Sequence, residues 1–133
     1  MPVTGIDHVN IVTRDLAATV RFFSSVLGLE ERESPAVQIG LQGAWMVDPA
    51  GWAIIHIVVF DQGFHGDRHK VPAADTGPLD HVALRCEGFA AMREKLTALG
   101  LEHKANDRAM AGLRQIFVPD PNGVVVELNF YGD

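Results

Sequence analysis

The sequence predicts an α+β protein built from two tandem βαβββ modules. Three repeated markers predict it. Ile6-Asp7-His8-Val9 returns as Leu79-Asp80-His81-Val82, 73 positions later. Leu27-Gly28-Leu29-Glu30 returns as Leu99-Gly100-Leu101-Glu102, 72 positions later, and Asp48-Pro49-Ala50-Gly51 returns loosely as Asp120-Pro121-Asn122-Gly123, again at 72. Three markers in one order and at nearly one step indicate a duplicated unit of about sixty residues. On this reading residues 1–133 are one domain, with module 1 at 4–60, a joining loop at 61–78 and module 2 at 79–131.

Each element of the unit follows from its residues. Residues 6–13 and 79–85 alternate apolar and polar side chains with β-branched members, the pattern of a first strand. A helix follows. Leu16, Val20, Phe23 and Leu27 form its apolar stripe in module 1, and Phe89, Met92, Leu96 and Leu99 form it in module 2. Gly28 and Gly100 end these helices, glycine being the residue that enters the left-handed conformation most readily. Asp15 is placed to cap the first helix. Three strands are expected next, at 36–42, 44–48 and 52–60 in module 1 and at 102–106, 113–119 and 123–130 in module 2. The Asp-Pro-x-Gly stretches make the turn between the last two strands.

Composition narrows the function. The net charge is −6 and the one short basic stretch, Arg68-His69-Lys70, follows Asp67, so no nucleic-acid or anionic-membrane surface is expected. The single cysteine, Cys86, excludes an internal disulfide and fits a reducing compartment. The start MPVTGIDHV has no apolar signal segment, and the longest apolar run, Trp52 to Phe60, contains His56 and is too short to span a bilayer. A cytoplasmic location is expected by elimination.

Alignment of the modules at the Asp-Pro-x-Gly turn sets His56 opposite Glu127, 71 positions apart. Each module then carries a histidine on its first strand and a second metal-competent residue on its last: His8 with His56, and His81 with Glu127. Alternation places Asn10 on the face of His8, Arg85 on that of His81, and Asn129 on that of Glu127. A carboxylate inside Val124-Val125-Val126-Glu127-Leu128 is costly to bury unless it is paired or bound to a cation. Three imidazoles and one carboxylate suit a divalent first-row metal such as Zn, Ni, Fe, Mn or Co. Singly, each has a plainer reading: a hydrogen-bonded core histidine, or an acid satisfied by its neighbours. His65, His69 and His103 lie in polar stretches and read as solvated, and Cys86 reads as core. Trp45, Trp52, Phe60 and Phe117 are candidates for an apolar pocket or for packing.

The stretches GIDHVNIVTRDLAATVRFFSSVLGL, LDHVAL and FVPDPNGVVVELNF resemble the vicinal oxygen chelate superfamily, which holds glyoxalase I, extradiol dioxygenases and the fosfomycin and bleomycin resistance proteins. The likeness spans nearly the whole chain apart from the joining loop. It implies that the two modules form an incomplete mixed β-barrel around a metal held by His8, His56, His81 and Glu127. It also implies a homodimer. In the glyoxalase-like branch the place of His56 usually holds Glu or Gln, so here one carboxylate is absent and Glu127 is the expected catalytic base. Bacterial glyoxalase I usually carries an arginine where this chain has Val12. The extradiol enzymes carry a tyrosine where it has Phe117.

The function expected from these residues is a metal-dependent isomerase or lyase of glyoxalase type. It chelates a small oxygenated substrate, with Glu127 as base and Asn10, Arg85, Phe117 and Asn129 as substrate-binding candidates. Arg85 suits a carboxylate or phosphate, or is simply a strand-end charge in solvent. Two alternatives stand beside it: an extradiol-type Fe(II) dioxygenase, in which His56 stays off the metal, and a non-catalytic small-molecule binding or resistance protein. Residues 61–78 read equally as a lid or as a linker.

Overall fold

A computed structural model of the protein describes residues 2–69, 76–110 and 112–132. The chain divides into two compact units, Met1–Pro72 and Ala73–Asp133. The fold is α+β, and the expected βαβββ order appears twice. Each unit carries an open, mixed four-stranded sheet.

In the first unit, β1 (Val9–Thr13) runs parallel to β4 (Ala53–Val59). β3 (Gly43–Val47) is antiparallel to β4, and β2 (Glu30–Glu33) closes the order β1-β4-β3-β2. Helix α1 (Leu16–Arg21) follows β1, and Asp15 caps it as expected, its Oδ1 accepting from the Ala18 N–H at 3.0 Å. The helix does not stay α. It widens into a π turn over Phe22–Val26 and ends where the Leu27 N–H donates to the Phe22 carbonyl and Gly28 turns at φ 83°. The widening brings Phe22, Phe23 and Val26 into the core together, where regular 3.6-residue spacing singles out Phe23. They cover the sheet face of Ile11, Ile55, Ile57, Ala44 and Met46, all buried. Each large side chain so removed from water contributes about 1.5–3 kcal/mol.

The strand expected at 36–42 is not there. Ser34 caps a 3₁₀ turn at Pro35–Ile39, with proline at its first position and Gly40 at φ 85° closing it. The strand falls earlier, on Glu30-Glu31-Arg32-Glu33, whose four residues are all exposed. A charged sequence of this kind suits a sheet edge, since it discourages pairing with another chain.

In the second unit, β5 (Val82–Cys86) is parallel to β8 (Val125–Tyr131). β7 (Leu113–Pro119) is antiparallel to β8, and β6 (Lys104–Met110) is the far edge, giving β5-β8-β7-β6. A 10-residue helix, α3 (Phe89–Ala98), buries Phe89 and Leu96 against Ile116, Val118, Val126, Leu128 and Phe130. The Phe89 and Phe130 rings meet edge to face at 5.5 Å. Leu99, expected on the buried stripe, is instead exposed.

The repeated turns match atom for atom. Asp48 Oδ1 accepts from the Ala50 and Trp52 N–H groups, and Asp120 Oδ1 accepts from those of Asn122 and Val124.

At the end of the first unit, the described part of the joining segment is structured rather than a plain loop. Asp61 caps α2 (Gln62–His65), and a 3₁₀ turn follows at Gly66–His69. Residues 70–75 of that segment and the side chain of His69 lie outside the described residues. Among the described residues no helix is long and apolar enough to cross a membrane.

Candidate functional site

In each unit the sheet face opposite the helix carries the candidate side chains. β-strand alternation sets them there. On β4, Ile55 and Ile57 point to the core and His56 to the other face. On β8, Val126 and Leu128 point to the core and Glu127 away. Cross-strand register then makes two equivalent rows. Asn10, His56 and Trp45 stand in register in the first sheet, and Ala83, Glu127 and Phe117 in the second.

His8 and His81 sit one residue ahead of their strands, not within them, because the parallel ladders begin only at Val9↔Ile55 and Val82↔Val126. Free of the pleat, each histidine turns its ring back toward the preceding aspartate. His8 Nδ1 lies 2.5 Å from Asp7 Oδ2, and His81 Nδ1 lies 2.8 Å from Asp80 Oδ2.

The first unit brings His8 and His56 together. Their rings stack with centroids 3.6 Å apart and planes 13° off parallel. Trp45, on the β3 side of His56, stacks on it at 4.4 Å and 14°. Burial holds the His56 pKa below the ordinary imidazole value, and the neighbouring His8 lowers it further.

The second unit brings His81 and Glu127 together. His81 Nε2 lies 3.5 Å from Glu127 Oε1. The hydrogen bond to Asp80 raises the His81 pKa, and Glu127 adds to the effect. Glu127 is 9% exposed, and its other oxygen, Oε2, accepts from Asn129 Nδ2 at 2.8 Å. Asn129 Oδ1 in turn accepts from Gln115 Nε2 at 3.1 Å. Phe117 stands edge-on to His81, with centroids 6.5 Å apart.

Among the described residues no three His, Cys, Asp or Glu groups gather as a metal-holding cluster; the ligand-type side chains meet in pairs, one per unit. The donor chemistry of the pairs, two imidazoles and an imidazole with a carboxylate, fits a divalent first-row metal. Of the substrate-binding candidates, Asn10 is exposed beside His56, and Phe117 is half-buried beside Glu127. Arg85 is exposed and lays its guanidinium over Tyr131, 5.0 Å from the ring centroid. The Asn129 side chain is committed to Glu127 and Gln115.

Several side chains depart from expectation. His65 is buried, 5% exposed, not solvated, and its ring stacks on Phe60 at 5.7 Å. His103 is half-buried, with Nδ1 2.7 Å from the Leu101 carbonyl oxygen. Trp52 is 68% exposed and packs in neither a pocket nor a core. Cys86 does face the helix side, in register with Phe130, and burial pushes its thiol up to about 11. A surface groove bounded by Phe89, Arg93, Asp107 and Arg114 also lies on that helix side, away from Glu127.

Sequence reasoning missed Asp7, Asp80 and Gln115. The signal for the aspartates was present: the Asp-His dipeptide repeats as faithfully as the histidine. Gln115 had only its even spacing from Phe117 to mark its face.

Comparison with known proteins places this geometry in a family. A model described as the Glyoxalase/Bleomycin resistance protein/Dioxygenase superfamily matches residues 5–128. Glyoxylase I 4 of Arabidopsis thaliana is 25% identical over 130 residues, covering 94% of this chain and 70% of that protein. A glyoxalase family protein of Bacillus anthracis has a similar structure, with a TM-score of 0.73, 22% identity and 98% of each chain covered. So has the fosfomycin resistance protein FosX of Listeria monocytogenes, at 0.74 and 21%, covering 98% of this chain and 94% of that one. That FosX structure is a complex with Mn(II) and 1S,2S-dihydroxypropylphosphonic acid.

Proposed function

We propose, from the premise that this chain belongs to the Glyoxalase/Bleomycin resistance protein/Dioxygenase superfamily, that it is a metal-dependent isomerase or lyase acting on a small oxygenated substrate. The residues that would hold the metal are the His8–His56 pair of the first unit and the His81–Glu127 pair of the second. The observation that carries the reading is the pairing of His81 with Glu127 at 3.5 Å, matched by the pairing of His8 with His56 at the corresponding positions of the first unit. The vicinal dihydroxy ligand of the Mn(II)-bound FosX supports substrate binding through two adjacent oxygens.

When bound, a divalent metal supplies Lewis-acid polarisation of the substrate oxygens. The chain's own residues do the rest. Glu127 is the base. Asn129 donates to its Oε2 and orients the carboxylate, which would take a proton from the carbon beside the substrate oxygens. His56, kept neutral by burial, offers an imidazole lone pair without first losing a proton. Arg85, steadied over Tyr131, meets an anionic group on the substrate. Phe117 stands beside Glu127 and Asn10 beside His56, each within its own sheet, and the protein works in the cytoplasm as a homodimer.

The test is elemental analysis of untagged protein, for wild type and His56→Ala, with Glu127→Gln assayed for turnover. About one metal per chain, weakened by His56→Ala, is the expected result. Metal, especially iron, fully retained in that variant moves His56 off the metal and puts the dioxygenase first. Ligand binding unchanged in Glu127→Gln, with no turnover in either form, makes the protein a binder.

A further inference from the structure

The second unit contains an unbroken run of polar contacts that extends beyond the proposed ligands at both ends. It passes from Asp80 to His81, Glu127, Asn129 and Gln115, with heavy-atom separations of 2.8, 3.5, 2.8 and 3.1 Å. Five residues from three elements contribute: two from the lead-in to β5, two from β8 and one from β7. Atom chemistry fixes its direction from each end. A carboxylate can only accept, so Asp80 requires the proton on His81 Nδ1 and leaves Nε2 to face Glu127. At the other end Gln115 donates its amide N–H to Asn129 Oδ1. The oxygen of Asn129 is thereby turned away from Glu127, and its NH₂ is turned toward Oε2. Both ends therefore drive one result. The two atoms left facing each other are His81 Nε2 and Glu127 Oε1, the donor atoms that a cation needs.

From this run of contacts we infer that Asp80 and Gln115 are positioning residues, which set the tautomer of His81 and the orientation of Glu127 for metal binding. The inference rests on the metal-dependent reading above. Asp80 is 92% exposed at its side chain, so its ion pair adds little to stability and its effect lies in orientation. That exposure also makes Asp80→Ala a clean variant, since it disturbs no packing. Asp7 holds His8 in the same way in the first unit, which makes His8 an internal reference for changes made at Asp80.

The experiment has two readouts. Long-range ¹⁵N–¹H spectra of the metal-free protein, taken at alkaline pH, report which imidazole nitrogen carries the proton. Asp80→Ala is expected to shift His81 toward the Nε2-protonated tautomer and leave His8 unchanged. Asp80→Asn restores part of the wild-type pattern, because an amide oxygen can still accept. Gln115→Leu is expected to leave the His81 tautomer alone and to weaken the exchange protection of the Asn129 side-chain amide. Calorimetric titration with Mn(II) then gives affinity: about 10-fold weaker in Asp80→Ala and in Gln115→Leu, with Asp80→Asn between. Wild-type affinities and wild-type spectra in both variants overturn the inference. If wild type itself binds no Mn(II) or Zn(II), the metal-dependent reading fails separately. The metal-free spectra still decide whether Asp80 and Gln115 orient their neighbours.

Discussion

The imidazoles of His8 and His56 stack 3.6 Å apart within one unit, and the pair has an electrostatic consequence. Two stacked rings cannot comfortably both carry charge. Burial disfavours protonated His56 first, and His8 disfavours it further. His81 is the reverse case, its charge favoured by Asp80 and then by Glu127. In the metal-free protein, NMR titration is expected to place His56 below and His81 above the ordinary imidazole value of 6.5. For His56 the unfolded chain binds the proton more readily, so its contribution to stability is full above 6.5 and is lost as pH falls. For His81 the contribution is present below 6.5 and is lost as pH rises through its raised folded value, and its exposure keeps that contribution small. Metal competes with protons at the histidines, so apparent Mn(II) affinity climbs with pH as His81 gives up its proton. A His56 that titrates at or above 6.5 removes this account.

Trp45 makes the same histidine visible. Its ring lies 4.4 Å from that of His56, nearly parallel, so any change in His56 alters the surroundings of the indole. The second tryptophan, Trp52, is exposed and can be silenced by Trp52→Phe at little cost to folding. In that variant, addition of Mn(II) or Zn(II) is expected to change tryptophan fluorescence saturably, with the same midpoint as calorimetry. Binding seen by calorimetry with no fluorescence change would place the metal away from His56.

These contacts also indicate which features the sequence could disclose. The repeat offset was enough to identify His8, His56, His81 and Glu127 as equivalent pairs, because alternation on β4 and β8 is strong and both strands are backed by buried Ile, Val and Leu. The aspartate and glutamine that extend one pair were harder to read. Asp80 and Gln115 act through the direction of a single hydrogen bond, which leaves no periodic trace. The misplaced strand has a related cause. Glu30–Glu33 is exposed on every residue, so no apolar alternation marks it, whereas the apolar residues of Pro35–Ile39 suggested a strand where Ser34 and Pro35 start a turn. The sequence puts His8 and His81 inside strands because the alternation extends to Ile6 and Leu79, ahead of the point where pairing begins. Both of those residues are in fact exposed.

Gly43 is required by close approach, not by an unusual φ. A Cβ at this position would stand 2.2 Å from the Ile57 carbonyl oxygen and 3.2 Å from its carbon, both backbone atoms on the neighbouring strand. That strand carries His56, so a shift there also disturbs the stack. Gly43→Ala is expected to cost about 1–3 kcal/mol and to lower the thermal midpoint by several degrees. Gly5→Ala, with open space around its Cβ, is the control and should leave the midpoint unchanged. Equal midpoints in the two variants would mean that β3 and β4 can part at no cost.

The two Asp-Pro-x-Gly turns share their backbone bonds but differ in surroundings. Asp48 receives two backbone N–H groups, from Ala50 and Trp52, at a partly exposed turn. Asp120 receives the equivalent pair from Asn122 and Val124, adds the Asn122 side-chain amide at 3.1 Å, and is only 4% exposed. Loss of the acceptor costs little where water replaces it and about 1–3 kcal/mol where the donor is left buried. Asp120→Ala should therefore destabilise the protein clearly more than Asp48→Ala, as read by denaturant midpoints. Asp120→Asn, which keeps an oxygen for the two backbone donors, should recover most of the difference. The turn leads directly into β8, so the loss at Asp120 should also loosen Glu127 and weaken metal binding, while Asp48→Ala loosens His56 less. Equal midpoints for the two alanine variants would show that burial of Asp120 adds nothing to the turn.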